Sequence, residues 1–303
     1  MTQSSRISEL RRDDRQHKEG FVPNRISPGR RTALIGRHVI LIGLALLFFF
    51  PVFLIVSTAL KTAADVTVNP FGLFSSFSFE NIVNAWIEGH FSEYMLNSFL
   101  IAAPSTLLVV ILSTMAGFTF ARLPFRGRSI AFYLVILGLL VPFFTYMIPL
   151  YFELRGIGLL DTLPGVILVL TSGGAGGVSF GTFFMRAFFS ELPIELEQAA
   201  RLDGCSEWQI FIKVMLPLVR SGAGALAVFT FIQSWNNFLV PLLYLPGGSF
   251  RPLTMGLFRF MGGHSIQVGP LAAGTLITIL PVFALFLVMQ RQLTEGFTGA
   301  VKG

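Results

Sequence analysis

The sequence predicts an all-α polytopic membrane protein with six transmembrane helices. Composition, the length of the apolar runs and the placement of charge carry that reading. Hydrophobic residues make up 53% of the 303-residue chain and charged residues 13%, about half the usual charged fraction of a soluble domain. Mean hydropathy is +0.71, and 33 phenylalanines could not all be hidden from water without leaving aggregation-prone patches. Lipid removes that difficulty.

A membrane helix needs about 20 apolar residues, because each residue rises ~1.5 Å through ~30 Å of hydrocarbon. Six runs qualify, at 39–60, 95–121, 129–151, 163–185, 221–245 and 269–289, and none contains Asp, Glu, Lys or Arg. A charge at the bilayer centre costs about 2.5 to 3.5 kcal/mol on the mildest scale, so the exclusion of charge supports these limits. The first run follows 38 residues and has no small-x-small cleavage site after it, so it reads as an anchor rather than a secretory signal. Of the 22 Lys and Arg residues, 18 fall before span one or after spans two, four and six. The positive-inside rule therefore predicts that both termini are cytoplasmic and that the loops near Glu80, Asp161 and His264 are external. The basic tail 1–38 and the C-terminal tail 290–303 flank a membrane domain at 39–289. Topology and anionic headgroups account for the tail's arginines, so no nucleic-acid partner is expected.

Chemistry is scarce. Cys205 is the single cysteine and His17, His38, His90 and His264 fall at no metal-ligand spacing, so no metal site is expected. None of Lys18, Lys61, Lys213 and Lys302 follows a glycine, which excludes a Walker-type phosphate loop. No hydrolase motif or intramembrane carboxylate pair is present, so the chain does not read as an enzyme.

The segment 186–220 is too polar to cross a bilayer and is patterned as two short helices. Ser190 is placed to cap the first and Pro193 to sit in its opening turn, with Leu192, Leu196, Ala199, Ala200 and Asp203 on one face. Gly204 suits a left-handed C-terminal position. Ser206 and Gln209 form an S-x-x-Q capping box, and Trp208, Phe211, Ile212 and Met215 make a second stripe that Pro217 is expected to stop. From the residues alone such a hairpin suits the headgroup layer.

The run Glu195-Leu-Glu-Gln-Ala-Ala-Arg-Leu-Asp-Gly-Cys-Ser206, continuing through Ile212 to Leu216-Pro217, resembles the EAA loop of permease subunits in binding-protein-dependent ABC importers. Further runs match in order along the chain: Ser57 to Thr62, Phe118 to Arg128, Leu140 to Pro142 with Pro149 to Tyr151, Ser234 to Pro241, and Gly299 to Gly303. They are similar to the carbohydrate-uptake branch, in particular the six-span subunit of the maltose importer type. The resemblance implies a type I importer transmembrane architecture in the bacterial inner membrane. It also implies a second homologous permease, two ABC ATPase subunits that use ATP and magnesium, and an extracytoplasmic solute-binding protein; this chain itself would bind no cofactor. Glu197, Gln198, Ala199, Ala200, Asp203, Gly204, Ile212 and Pro217 would form the ATPase-coupling loop, and Lys302 and Gly303 would touch the ATPase. Gln198 stands where the family has Glu, and Glu197, about 100° around the helix, is not a simple substitute.

Within the spans, Gln233, Trp235, Asn236 and Asn237 are candidates for the pathway or for gating, with helix–helix hydrogen bonding as the alternative. The run Ser172-Gly-Gly-Ala-Gly-Gly177 and Gly181 permits close helix packing or local unwinding. A sugar or sugar derivative is the solute the resemblance implies. A self-sufficient secondary carrier or channel, or a membrane scaffold, remains the rival from the residues alone.

Overall fold

The computed structural model describes residues 28–69, 71–72, 77–173, 176–262 and 266–300, with side chains over 36–290. Most of the basic tail, His264, Lys302 and Gly303 thus lie outside the described residues. The chain divides into two units, 1–53 and 54–303.

The first unit holds most of helix α1 (Pro28–Ala59). Its apolar stretch Gly36–Ala59 has a mean hydropathy of 3.1, and its large side chains from Val39 to Phe50 are exposed. A helix apolar on every side is built for lipid or for other helices, because water offers it no partner.

In the second unit the end of α1 is followed by α2 (Ala63–Val68), α3 (Glu80–Ile87) and the long α4 (Phe91–Arg122). The turn after α1 is pinned by Asn81, whose Nδ2 donates to the Lys61 carbonyl at 2.7 Å. Helix α4 is central. It packs against α8 (Val178–Glu191), α11 (Arg220–Trp235) and α7 (Leu163–Ser172). Gly117 and Gly181 set the α4–α8 approach: a Cβ on Gly117 would lie 2.7 Å from Met185 Cβ, and one on Gly181 would lie 2.2 Å from Ser113 Oγ. Close packing is therefore what Gly181 provides. Helix α14 (Val268–Ala300) closes the bundle against α11 and α3, and Trp235 Nε1 donates to the Thr278 carbonyl at 3.1 Å across the α11–α14 contact. The short α13 (Leu253–Gly256) lies against α4 and α14.

Three of the six expected runs are not single rods. The run 129–151 is α5 (Arg128–Leu140) and α6 (Phe143–Gly156), bent by 97°. Val141 is extended because a residue before proline is pushed out of the α region by the ring of Pro142. The run 163–185 breaks between α7 and α8, with Gly173 extended and Gly176 at φ +99°, so unwinding is what this glycine-rich run provides. Ten residues give α7 about 15 Å, half a bilayer core. The run 221–245 breaks after Trp235 and resumes as α12 (Leu239–Tyr244). Among the described residues, three helices are long and apolar enough to cross a membrane, and up to five spans result if each of two bent pairs is one span. The helices continue past the apolar runs: α4 begins at Phe91, α8 extends to Glu191 and α14 to Ala300.

Candidate functional site

The expected hairpin is present as α9 (Glu195–Leu202) and α10 (Glu207–Leu218). Gly204 has φ +81°. Its N–H donates to the Arg201 carbonyl and the Cys205 N–H to the Ala200 carbonyl, both at 3.0 Å, which together make a Schellman ending that leaves few carbonyls of α9 unpaired. The capping box of α10 forms as its spacing predicts: Ser206 N–H donates to Gln209 Oε1 at 2.8 Å and Gln209 N–H to Ser206 Oγ at 3.4 Å. Across the turn the Arg201 guanidinium donates to both Glu207 oxygens, at 3.0 and 3.1 Å. Those hydrogen bonds hold the Arg201 pKa above its usual value. Arg201 is largely solvated, so the pair fixes geometry more than it adds stability.

Four details depart from the sequence-based expectation. Ser190 does not cap α9; its hydroxyl donates back to the Arg186 carbonyl at 2.8 Å inside α8, and Ile194 occupies the N-cap. The face of α9 is rotated. Glu197 and Ala200 are buried whereas Leu196, Ala199, Leu202 and Asp203 are exposed, because α9 starts only after Pro193 and turns its Glu197 carboxylate toward Arg122. In α10, Ile210, Phe211 and Met215 are buried while Trp208 and Ile212 stay exposed. Pro217 does not stop α10 either. The preceding residues 210–215 widen into a π-turn, with Leu216 N–H donating five residues back to Phe211, and the bend of 76° into α11 comes after Leu218. A widened turn relieves the clash between a proline ring and the carbonyl four residues earlier.

The inner face of the hairpin is held by apolar packing and by one charge cluster. Ala200, Ile210, Phe211 and Met215 form a core with Phe118, Met185, Phe188 and Phe189. Beneath α9, Arg122 Nε lies 3.1 Å from Glu197 Oε1 with both side chains buried, while Arg201 Nη2 approaches Oε2 at 3.8 Å. The Arg122 Nε–H itself points to the Phe189 carbonyl at 2.8 Å, so Glu197 Oε1 is held by charge and accepts no hydrogen bond among the described residues. Gln198 is exposed. Arg122 was legible only as part of the Phe118–Arg128 run; its signal was a lone cation ending a 32-residue apolar helix.

A second feature sits where the helices break. A cavity of about 140 Å³ is lined by Gln233, Ser234 and Asn237 on one side and by Phe143, Gly173 and Gly176 on the other. Gln233 and Asn237 thus share a surface, although Asn237 lies beyond the end of α11 and its Oδ1 accepts from the Val240 N–H at 2.9 Å. Thr230 Oγ1 donates to the Gly176 carbonyl at 3.2 Å, satisfying one polar group freed by the unwound strand of chain. The other two candidates are elsewhere. Trp235 is 1% exposed and packs between Phe99 and Phe231, and Asn236 is exposed outside the cavity lining.

Comparison with known proteins gives this geometry its context. The chain is 34% identical over 269 residues to the diacetylchitobiose uptake system permease protein of Streptomyces coelicolor, covering 88% of each. It is 32% identical to the arabinooligosaccharides transport system permease protein of Bacillus subtilis, over 86% of this chain and 92% of that one. The trehalose transport system permease protein of Mycobacterium tuberculosis is also 32% identical, over 87% and 95%. The fold matches a crystal structure of a bacterial ABC transporter involved in the import of the acidic polysaccharide alginate, with a TM-score of 0.77 at 22% identity over 88% of this chain and 98% of that chain. Residues 110–294 match the family model of the binding-protein-dependent transport system inner membrane component. This chain belongs to that family, as a multi-pass permease subunit of an ABC importer.

Proposed function

We propose that the chain forms half of the transmembrane pathway for a sugar or sugar derivative and couples it to ATP hydrolysis through the α9–α10 hairpin. One observation carries the coupling assignment. The hairpin's inner face is locked to α4 and α8, while Leu196, Ala199, Leu202 and Asp203 stay exposed next to the Gly204 turn. An exposed apolar edge on a rigid support suits a cleft in another protein. The sugar assignment rests on the three permease relatives, each named for a saccharide.

In this reading the runs on either side of each break count as one span, which gives six, with both termini in the cytoplasm of a bacterium. Two ABC ATPase subunits would supply ATP and magnesium chemistry, with Lys302 and Gly303 against them, and a second homologous permease would complete the pathway. An extracytoplasmic solute-binding protein would deliver the sugar. The cavity lined by Gln233 and Asn237 offers amide donors and acceptors next to the Phe143 ring, the mixture that suits a sugar's hydroxyls and apolar faces.

Purification in mild detergent and identification of the accompanying subunits tests the assembly. ATPase and second-permease subunits are expected in stoichiometric amounts. Uptake by the isolated chain without ATP would make it a self-sufficient carrier and defeat the proposal.

A further inference from the structure

We propose that Arg122 is a positioning residue that makes the hairpin, α4 and α8 move as one body, so that force on the hairpin reaches the cavity. This rests on the coupling role of the hairpin proposed above. The guanidinium touches three segments at once. It ends α4, its Nε donates to the Phe189 carbonyl at 2.8 Å, and its Nη2 donates to the Phe189 and Leu192 carbonyls. The Glu197 carboxylate lies 3.1 Å away.

Those carbonyls close α8, where a helix leaves acceptors without partners and favours a cation. A planar fork meets several acceptors in fixed directions, which a lysine ammonium does not. Separating Glu197 from Arg122 would strand a buried carboxylate whose other neighbouring cation, Arg201, is 3.8 Å away, and an uncompensated buried charge is strongly disfavoured. The clamp therefore opposes hinging at the connection 192–194. Helix α8 carries no proline and spans about 21 Å from this clamp to the Gly176–Gly177 bend, where Gly176 lines the cavity. A shift of α9 is thus delivered to the cavity wall.

The test uses the detergent-purified complex with its co-purifying subunits. Gln233→Cys in a Cys205→Ser background reports the cavity through its rate of reaction with N-ethylmaleimide, with and without ATP plus vanadate. The parent should change its labelling rate between the two conditions. Arg122→Gln should keep the ATPase subunits bound yet reduce that change by about tenfold, within the usual range of coupling between sites. Arg122→Met combined with Glu197→Gln removes both buried charges; it should match the parent's membrane abundance and still lack the response.

A parent-like response in the double variant would overturn the proposal and leave Arg122 a stabilising residue. So would a parent cavity whose labelling ignores ATP and vanadate, since no movement would then reach it. Gly204→Val separates the two levels. Loss of ATPase subunits there, with a normal Arg122→Gln response, sinks the clamp alone; retention of subunits and response in both sinks the coupling role itself.

Discussion

Replacing Gly204 isolates the backbone contribution to the proposed coupling, because the site offers nothing else to disturb. Its φ is +81°, and a Cβ added there would meet no atom within 4 Å. A valine at this position therefore introduces no clash with neighbours and pays the left-handed backbone penalty, about 1 to 2 kcal/mol. That shifts the population of the correctly turned hairpin by a factor of about 5 to 30. The Schellman bonds from Gly204 and Cys205 are the first to be lost, and α10 swings relative to the exposed edge of α9. Asparagine tolerates the left-handed region, so Gly204→Asn should stay close to the parent while Gly204→Val loses uptake and sheds ATPase subunits at normal membrane abundance. The assay is uptake in cells together with quantitative co-purification. Equal behaviour of the Asn and Val variants would refute the backbone argument, and normal values for both would remove the coupling role of the turn.

Three further outcomes follow from the same geometry. Ala199→Arg should reduce ATPase co-purification at normal abundance, whereas Ala200→Arg, placed into the Phe118–Met185 core, should lower abundance itself; identical behaviour would contradict the rotated face of α9. Gly181→Val forces a branched side chain where a single Cβ already meets Ser113 Oγ at 2.2 Å, so an overpacking cost of about 1 to 3 kcal/mol should lower the melting temperature in detergent, and an unchanged melting curve would refute the close α4–α8 approach. Cysteine placed at Ser249 should react with an impermeant maleimide from outside and cysteine at Ser206 only after permeabilisation; the reverse pattern would invert the topology.

The local chemistry of the hairpin was legible because it is written in adjacent residues. Gly204, Ser206 and Gln209 specify a left-handed ending and a capping box whatever lies around them. The apolar runs were legible for the same reason, since lipid selects composition over a whole window. The orientation of α9 was not, because it depends on Arg122, 75 positions before Glu197 in the chain. Periodicity placed Leu196 with Ala200, and a buried ion pair overrode it. The breaks were half legible. The glycine run 172–177 marked one of them, with unwinding as one of its two readings, but hydropathy is blind to backbone direction, so each interrupted run read as one rod.

Those interruptions are also what creates a polar surface in an apolar bundle. Within a bilayer core an unwound backbone is tolerated only where its N–H and C=O groups find partners or water. Here the partners are in the protein itself: Thr230 donates to the Gly176 carbonyl, Asn237 accepts from the Val240 N–H, and Thr254 Oγ1 donates to the Asn237 carbonyl at 3.0 Å. Among the described residues, satisfying those groups takes no bond from Gln233 or from the Asn237 Nδ2 group, and both residues line the cavity. Gln233→Leu should therefore reduce sugar uptake while the breaks, and with them the assembled complex, remain intact. Thr230→Val is the contrasting variant, since it removes the donor to Gly176 and keeps the shape; it should destabilise the complex by about 1 to 3 kcal/mol, the cost of an unsatisfied buried acceptor. If Gln233→Leu lowers thermal stability as much as Thr230→Val and leaves uptake per assembled complex unchanged, the cavity amide is structural and the pathway runs elsewhere.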